Sequence, residues 1–146
     1  MNWQQEEFTI TDDRGSLDLS LIHDFLRTSY WAKGIPKEIV VKALENSLCF
    51  GVFHQSRQVG FGRVVTDRAT FAYLADVFVI EGYRGRGLGK WLVACVREHP
   101  ELQGLRRWLL ATADAHELYR QHGFAPLGKP DRMMEIVDPE IYLRPA

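Results

Sequence analysis

The feature of this sequence that most restricts its fold is an apolar segment that leads directly into a glycine-rich turn and then into a helical pattern. Residues 70–80 are almost continuously apolar, which is typical of a central strand covered on both faces. Four glycines follow between positions 82 and 89. Apolar side chains then recur at helical spacing, at Leu88, Trp91, Leu92, Cys95 and Val96. The chain therefore places a strand, a tight turn and an amphipathic helix in immediate succession.

The remaining segments predict further strands and helices around this unit. Strand patterns occupy residues 8–11, 48–53, 59–65, 108–111, 124–127 and 133–137. Helical patterns occupy residues 21–30, 36–44 and 114–122, and a capping box of Asp114 and Glu117 would open the last of these. This β-α-α-β-β-β-α-β-α-β-β order predicts one α/β domain over residues 1–146. Its sheet is expected to be mixed and partly parallel, with six to seven strands and helices on both faces.

Composition and charge exclude several classes of protein. The 146 residues carry a formal net charge of −1, so we expect no general attraction to nucleic acid or to an anionic membrane. No apolar run approaches the ~18 residues of a membrane span, and the N-terminus lacks the apolar run of a signal peptide, so a cytoplasmic location is expected. Cys49 and Cys95 lie in apolar runs and are expected to be buried free thiols, and nothing in their spacing predicts a metal site.

The glycine-rich turn has the features of a binding site for an anion. The first backbone N–H groups of a helix have no partner within the helix, and the helix dipole makes this end positive. Glycines let a ligand approach the backbone closely, and Arg84, Arg86 and Lys90 add positive side chains. A pyrophosphate group is the natural occupant of such a site.

Two familiar nucleotide-binding motifs do not fit this turn. The G-x-x-x-x-G-K-[ST] loop for ATP or GTP requires a glycine where Arg84 stands and a hydroxyl residue where Trp91 stands. The G-x-G-x-x-G fingerprint for NAD begins at Gly85 but has Lys90 in place of its third glycine. An enzyme that uses ATP or NAD is therefore the weaker alternative.

A different pattern does fit, because R-x-x-G-x-G at residues 84–89 resembles the Q/R-x-x-G-x-G/A loop with which the GNAT superfamily of N-acetyltransferases binds acetyl-CoA. One strand and one helix later, A-x-x-L-Y-x-x-x-G-F at residues 115–124 is similar to a second signature of that family. The resemblance covers residues 48–136. It implies that the chain transfers the acetyl group of acetyl-CoA to a primary amine of a small molecule, peptide or protein, by direct attack in a ternary complex. A CoA-binding regulatory module of the same fold, without turnover, is the alternative.

The resemblance also implies roles for individual residues. Tyr119 would protonate the leaving thiolate, and backbone N–H groups near Phe78 and Val79, beside a bulge, would bind the acyl oxygen and the pantetheine arm. Thr112 stands where many members have an asparagine that contacts the cofactor, so only a hydroxyl is available for that contact. The residues expected to bind the cofactor are Phe78, Val79, Arg84, Gly85, Arg86, Gly87, Leu88, Gly89, Lys90 and Thr112.

The base that takes the proton of the amine is less well determined. Asp76 is an acid within an apolar strand, where a carboxylate needs either a partner or a function, so it is the candidate base, with structural pairing as the alternative. Glu81 lies close to the phosphate loop, and His116 falls just off the apolar stripe of its helix. A base that acts through water also fits the family.

The acceptor pocket is expected between the first two helices, their connecting loop and a hairpin at the end of the chain. Tyr30, Trp31 and Lys33 are the candidates to line it, with closure of the core as the alternative role of Trp31. The last segment, residues 137–146, would either cross this pocket or make the contact of a homodimer.

Overall fold

The computed structural model describes residues 1–145 of the chain. Its strands are β1 (Asn2–Gln5), β2 (Phe8–Thr11), β3 (Leu48–His54), β4 (Arg57–Thr66), β5 (Phe71–Val79) and β6 (Arg107–Leu109). Its helices are α1 (Leu19–Leu26), α2 (Lys37–Glu45), α3 (Leu88–Glu98) and α4 (His116–Arg120), and short 3₁₀ turns lie at Arg14–Ser16, Glu81–Tyr83, Pro100–Leu102, Pro130–Arg132 and Ile141–Leu143. The strand, turn and helix predicted from residue 70 onward are thus β5, a 3₁₀ turn and α3.

The six strands form one sheet in the order β1-β2-β3-β4-β5-β6. Each neighbouring pair from β1 to β5 is antiparallel, whereas β6 lies parallel to β5 with Ala72 opposite Trp108. A parallel pair requires a crossover, and α3 provides it. The predicted mixed, partly parallel sheet is confirmed.

Helices cover both faces of this sheet because the central strands are apolar on both sides. On one face, α3 buries Leu92, Val93 and Val96 against residues such as Phe50 and Val64 of β3 and β4. On the other face, the opposite side chains of the strands meet α1 and α2; the buried residues of this second core are Ile22, Leu26, Ala32, Ile35, Val40, Leu44, Cys49, Phe61 and Phe78. Burial of each large apolar side chain contributes about 1.5–3 kcal/mol.

Two irregularities of β5 open the sheet where the site lies. Between the pairs Arg63–Ala75 and Phe61–Phe78, β5 has one residue more than β4, and Asp76 in this bulge has a left-handed φ of 57°. On the other edge of β5, pairing with β6 stops at Tyr73. The second half of β5 therefore has a partner on only one side.

Several predicted elements differ from the structure. The closing strands at residues 124–127 and 133–137 are wrong, because neither segment pairs with the sheet and both lie in irregular backbone. β1 was not predicted, since its only apolar position among three polar ones is Trp3. The capping box is also wrong, because the N-cap of α4 is Ala115 and no side chain caps the helix from that position. An apolar pattern is not sufficient for a strand, because the backbone of the segment also needs a neighbouring strand with which to form hydrogen bonds.

Within residues 1–145, no helix is long and apolar enough to cross a membrane. The same residues contain no group of three or more His, Cys, Asp or Glu side chains placed to hold a metal ion.

Candidate active site

A cleft of about 710 Å³ lies where β5 and β6 separate, between the α1–α2 loop and the beginning of α4. This volume is typical of pockets for small molecules and cofactors. The structure brings most of the predicted functional residues together along its wall: Tyr30, Trp31, Asp76, Phe78, Val79, Arg84, Thr112 and Tyr119. The other predicted cofactor residues, 85–90, continue from Arg84 into the glycine-rich turn and the first turn of α3.

The backbone of β5 offers bonding groups to this cleft at Val79. Ile80 N–H donates to Val59 of β4 at 2.9 Å, and the carbonyl of Val79 accepts from Arg84 Nε at 2.9 Å. Because successive residues of a strand bond to opposite sides, Val79 directs its N–H as well as its carbonyl away from β4 and into the gap. In the register with β4, Val79 lies opposite Gly60 and Phe78 lies opposite Phe61, so Val79 lacks a neighbouring strand only on the side of β6.

Phe78 contributes to the site through its ring rather than through its backbone. The side chain is buried and stacks on Phe25 of α1, with ring centroids 3.9 Å apart and planes 7° from parallel. This stack joins α1 to the end of β5 and forms an apolar wall of the cleft.

The glycine-rich turn leaves room for a ligand at the N-terminus of α3. Gly85 and Gly87 have φ values of 80° and 78°, and a Cβ built on either residue would meet no atom within 4 Å. Gly87 is the N-cap of α3 and provides no side-chain cap for the first turn. The N–H groups of Leu88, Gly89 and Lys90 therefore remain available to an anion, which is the arrangement that a pyrophosphate requires.

The cationic side chains around this turn are held by the protein itself. Arg84 is bonded to the carbonyl of Val79, and the guanidinium of Arg86 lies 5.0 Å from the ring centroid of Tyr83. The hydroxyl of Tyr83 in turn bonds His54 Nδ1 at 2.8 Å. Two positive charges are thus fixed beside the open N–H groups, which favours an anionic ligand.

Tyr119 lies in the wall of the cleft as a neutral phenol. It is buried on α4 and packs edge-on against Phe124, with ring centroids 5.9 Å apart. Burial, and to a smaller extent Tyr30 and Asp114, raises the pKa of Tyr119 to about 12. A phenol with such a pKa keeps its proton at neutral pH and can therefore donate it.

Thr112 holds the beginning of α4 in place. Its Oγ1 accepts from the N–H of Ala115 at 3.1 Å and from that of Asp114 at 3.4 Å. Of these two bonds, only the one at Asp114 N–H is a bond that the predicted capping box was expected to provide. Because the oxygen is the acceptor in both, the hydroxyl hydrogen of Thr112 remains for a ligand in the cleft.

Asp76 lies at the bulge with both carboxylate oxygens occupied. Oδ2 accepts from Arg63 Nε at 2.7 Å, and Oδ1 accepts from Trp31 Nε1 at 2.8 Å. Arg63 also donates to Ser47 Oγ at 3.1 Å. This network ties β4, β5, the α1–α2 loop and the connection between α2 and β3 together at the edge of the cleft.

The α1–α2 loop brings aromatic side chains to the opening of the cleft. Tyr30 and Trp31 are 63% and 42% exposed, and the hydroxyl of Tyr30 accepts from Ala113 N–H at 3.1 Å. Tyr142, from the C-terminal 3₁₀ turn, completes this wall in place of the predicted hairpin. His116 faces a neighbouring cavity and Glu81 is exposed, so neither lines this cleft.

Sequence reasoning did not find Arg63 or Tyr142. Arg63 is a charged residue within the apolar strand β4, just as Asp76 is within β5, so opposite charges on consecutive strands were the available signal. Their pairing depends on the bulge, which no residue pattern revealed. Tyr142 carries no signal, because its position depends on the course of the whole C-terminal segment.

Comparisons with known proteins find relatives of this chain among acetyltransferases. The sequence profile described as the Acetyltransferase (GNAT) family matches residues 2–124. A crystal structure from Xanthomonas campestris pv. campestris, described as belonging to the GNAT family, is 50% identical with a TM-score of 0.91, over 92% of this chain and 96% of that one. A protein of Gibberella zeae named as an acetyltransferase is 30% identical over 141 residues, covering 81% of this chain and 78% of its own.

A more distant structure shares the fold alone. It is a GNAT family acetyltransferase from Elizabethkingia anophelis described with acetyl-CoA bound, and it is 15% identical with a TM-score of 0.66, over 92% of this chain and 90% of that one. Together with the profile that matches most of its length, these relatives show that the chain belongs to the GNAT family of acetyltransferases.

Proposed function

We propose that the protein is an N-acetyltransferase that acetylates a primary amine of a small molecule or a peptide by direct attack within a ternary complex. The observation that carries this proposal is the cleft itself. There the unpaired edge of β5 at Val79, the hydroxyl of Thr112 and the phenol of Tyr119 lie along one wall, and the glycine-rich turn continues from it. The glycine-rich turn suits a pyrophosphate, and the part of the cleft beside Tyr119 suits proton transfer at a reacting acyl group.

Acetyl-CoA, when bound, supplies the acetyl group as an activated thioester. For its diphosphate we assign the N–H groups of Leu88, Gly89 and Lys90, with Arg84 and Arg86 as the neighbouring charges. For its pantetheine arm and acyl oxygen we assign the N–H of Val79, which faces the side of β5 on which pairing with β6 has already stopped.

Tyr119 is assigned as the general acid. Its buried phenol holds a proton at Oη at neutral pH, because burial keeps its pKa at about 12. Because Tyr119 lines the cleft, it could donate this proton to the sulfur of a thioester bound there.

Asp76 remains the only acidic side chain that the sequence singled out as a base within the cleft, and its bonds argue for a positioning role. Each carboxylate oxygen of Asp76 already accepts a hydrogen bond, one from Arg63 and one from Trp31, so the side chain is held in place by the protein. We propose that Asp76 positions Trp31 at the acceptor side, and that water in the open cleft carries the proton of the amine away.

The aromatic residues of the α1–α2 loop are assigned to the acceptor. Tyr30 and Trp31 line the cleft and present partly exposed rings to it. Such rings provide apolar contact for the carbon skeleton of an amine, and a positive charge on the ligand would interact favourably with their faces.

Binding and turnover separate this proposal from its alternatives. Calorimetric titration should show micromolar binding of acetyl-CoA, with ATP and NAD as controls that do not bind. Incubation with acetyl-CoA and a panel of primary amines should then release free CoA thiol. Binding without thiol release for any amine would favour the regulatory module, and preference for ATP or NAD would remove the assignment of the glycine-rich turn.

A further inference from the structure

One aromatic side chain attaches the connection between β5 and α3 to the body of the protein. Among residues 81–87, Tyr83 is the one residue that is not exposed. Its hydroxyl bonds His54 Nδ1 at 2.8 Å, and its ring meets that of Phe8 edge-on, with centroids 6.2 Å apart. The ring of Tyr83 therefore has a fixed position beside the glycine-rich turn.

This ring holds two arginines that come from different parts of the chain. Cζ of Arg86, within the turn, lies 5.0 Å from the ring centroid, and Cζ of Arg57, at the beginning of β4, lies 5.7 Å from it. Both distances fall within the ~6 Å over which a cation is attracted to an aromatic ring. Because like charges repel each other, two guanidinium groups on one ring favour an anion beside them. We call Arg57, Tyr83 and Arg86 the Tyr83 cluster.

Neither guanidinium group of the cluster is neutralised by the protein. Both arginines are exposed, and within residues 1–145 neither side chain forms an ion pair. The nearby carboxylate of Glu7 lies 3.2 Å from His54 Nε2 and pairs with neither arginine. Other arginines of the chain do have a carboxylate partner: Arg27, Arg63, Arg68, Arg120 and Arg144. The two charges of the cluster are thus available to a ligand.

The position of the cluster indicates which anion it would take. Arg86 directly precedes Gly87, the N-cap of α3, so the cluster lies next to the N–H groups assigned to the diphosphate. Besides this diphosphate, acetyl-CoA carries a phosphate monoester on the 3′ carbon of its ribose. Such a group has a charge of about −1.5 to −2 at pH 7. The forked N–H groups of arginine match the oxygens of a phosphate.

We propose that Arg57 and Arg86, held on the ring of Tyr83, bind the 3′-phosphate of acetyl-CoA. This inference rests on the proposed function, because it concerns the same cosubstrate, and it adds Arg57 and Tyr83 to the residues that select it. Arg57 belongs to β4 and lies outside the glycine-rich turn. Its side chain can therefore be changed without altering the N–H groups at the beginning of α3.

Titration calorimetry at low ionic strength with CoA and 3′-dephospho-CoA tests this site, because the two probes differ only in the 3′-phosphate. The wild type should bind CoA about tenfold more tightly, which is the lower end of the range for a hydrogen bond to a charged group and suits an exposed site. Arg57→Gln should lose most of this preference through weaker binding of CoA, with the affinity for 3′-dephospho-CoA unchanged.

Arg106→Gln is the matched control for the loss of one exposed positive charge. Arg106 is exposed and forms no ion pair within the described part of the chain. Its N–H donates to the carbonyl of Thr70, at the end of β5 opposite to the glycine-rich turn. This variant should keep the preference of the wild type for CoA.

Two changes at Tyr83 test the part played by its ring. Tyr83→Leu should lose the preference for CoA, and Tyr83→Phe should retain it, because the arginines lie against the ring and not against the hydroxyl. Circular dichroism establishes that each variant is folded. Since Arg57 is exposed, Arg57→Gln keeps the fold and tests the site even where Tyr83→Leu is unstable.

The outcomes distinguish this inference from the proposed function. Equal affinity of the wild type for CoA and 3′-dephospho-CoA would overturn the 3′-phosphate site and leave acetyl-CoA as the cosubstrate. A full preference for CoA in Arg57→Gln, or in folded Tyr83→Leu, would overturn it in the same way. A wild type that binds neither probe would remove the proposed function together with this site.

Discussion

Replacement of Asp76 by asparagine removes one charge at the edge of the cleft and keeps the shape of the side chain. Asparagine tolerates the left-handed φ of 57° that the bulge imposes, so the backbone adds little strain. The change leaves Arg63, whose side chain is 19% exposed, without its ionic partner at 2.7 Å. It also weakens the bond from Trp31 Nε1.

The expected loss follows from the burial of this pair. A hydrogen bond to a charged group contributes about 1.5–3 kcal/mol, and Arg63 keeps one partial substitute in Ser47. We therefore expect Asp76→Asn to lower the free energy of unfolding by about 2–3 kcal/mol. For a chain of this size, that corresponds to a fall in Tm of about 4–12 °C.

Urea unfolding followed by far-ultraviolet circular dichroism measures this loss without relying on the fluorescence of Trp31. Arg63→Met should cost a similar amount, and the double variant should cost less than the sum, because both changes remove the same contact. Asp24→Asn is the matched control. Its carboxylate is 67% exposed and bonds only Arg27 on the surface, so its unfolding curve should overlay that of the wild type.

The pH dependence of kcat/KM separates positioning from catalysis. If Asp76 positions Trp31, Asp76→Asn should retain the acidic limb of the profile, with a higher KM for the amine. An Asp76→Asn protein as stable as the wild type, with the acidic limb abolished, would refute the structural reasoning and make Asp76 the base.

Three further predictions concern the turn, the acid and the thiols. Gly87→Glu should abolish calorimetric binding of acetyl-CoA by placing a carboxylate at the N-terminus of α3, whereas Gly104→Glu, at a similarly open glycine with φ of 75°, should bind normally. Tyr119→Phe should lower kcat by about 10²–10⁴-fold with little change in acetyl-CoA affinity. Burial raises the pKa of Cys49 to about 11 and that of Cys95 to about 12, so the unfolded chain alone ionises these thiols above pH 9. Stability should therefore fall as pH rises, by about 1.4 kcal/mol for each thiol at pH 10, which thermal unfolding at pH 8 and pH 10 would measure.

Each of these predictions has an outcome that contradicts it. Normal acetyl-CoA affinity in Gly87→Glu would mean that the diphosphate lies elsewhere. An unchanged rate in Tyr119→Phe would leave Tyr119 as a core residue that only packs on Phe124. A Tm that does not decrease between pH 8 and pH 10 would show that the thiols are solvated in the native protein.

Much of the fold follows from local pattern. Apolar segments predicted five of the six strands, among them β5, whose continuous apolar run indicated a strand covered on both faces. Helical spacing predicted α1, α2 and α3, and the structure shows which face of the sheet each one covers. The two closing strands failed for a physical reason. A strand is defined by its neighbour, and residues 124–127 and 133–137 have no ladder partner within the described chain.

The residues of the candidate site also divide into those that a local pattern revealed and those that depend on contacts between distant segments. Gly85 and Gly87 were recognisable because a turn with positive φ before a helix requires glycine. Arg84 and Tyr119 were recognisable because they are part of the two family signatures. For Asp76 the sequence left two roles open, base or structural pairing, but it did not reveal the partners of the carboxylate. Its partners Arg63 and Trp31 are 13 and 45 residues away in sequence, and only the bulge of β5 brings them together.

What the sequence determined by itself is therefore local: the strand–turn–helix unit around residues 70–98, the glycines with positive φ in its turn, and the apolar faces that cover the sheet. These depend on interactions within a few residues, where side-chain periodicity and backbone preference act directly. The tertiary structure decided which segments that are distant in the sequence lie next to one another. The parting of β5 from β6, the Asp76–Arg63–Trp31 network and the exposure of residues 133–137 each depend on register and on long-range pairing, which residue types at single positions do not encode.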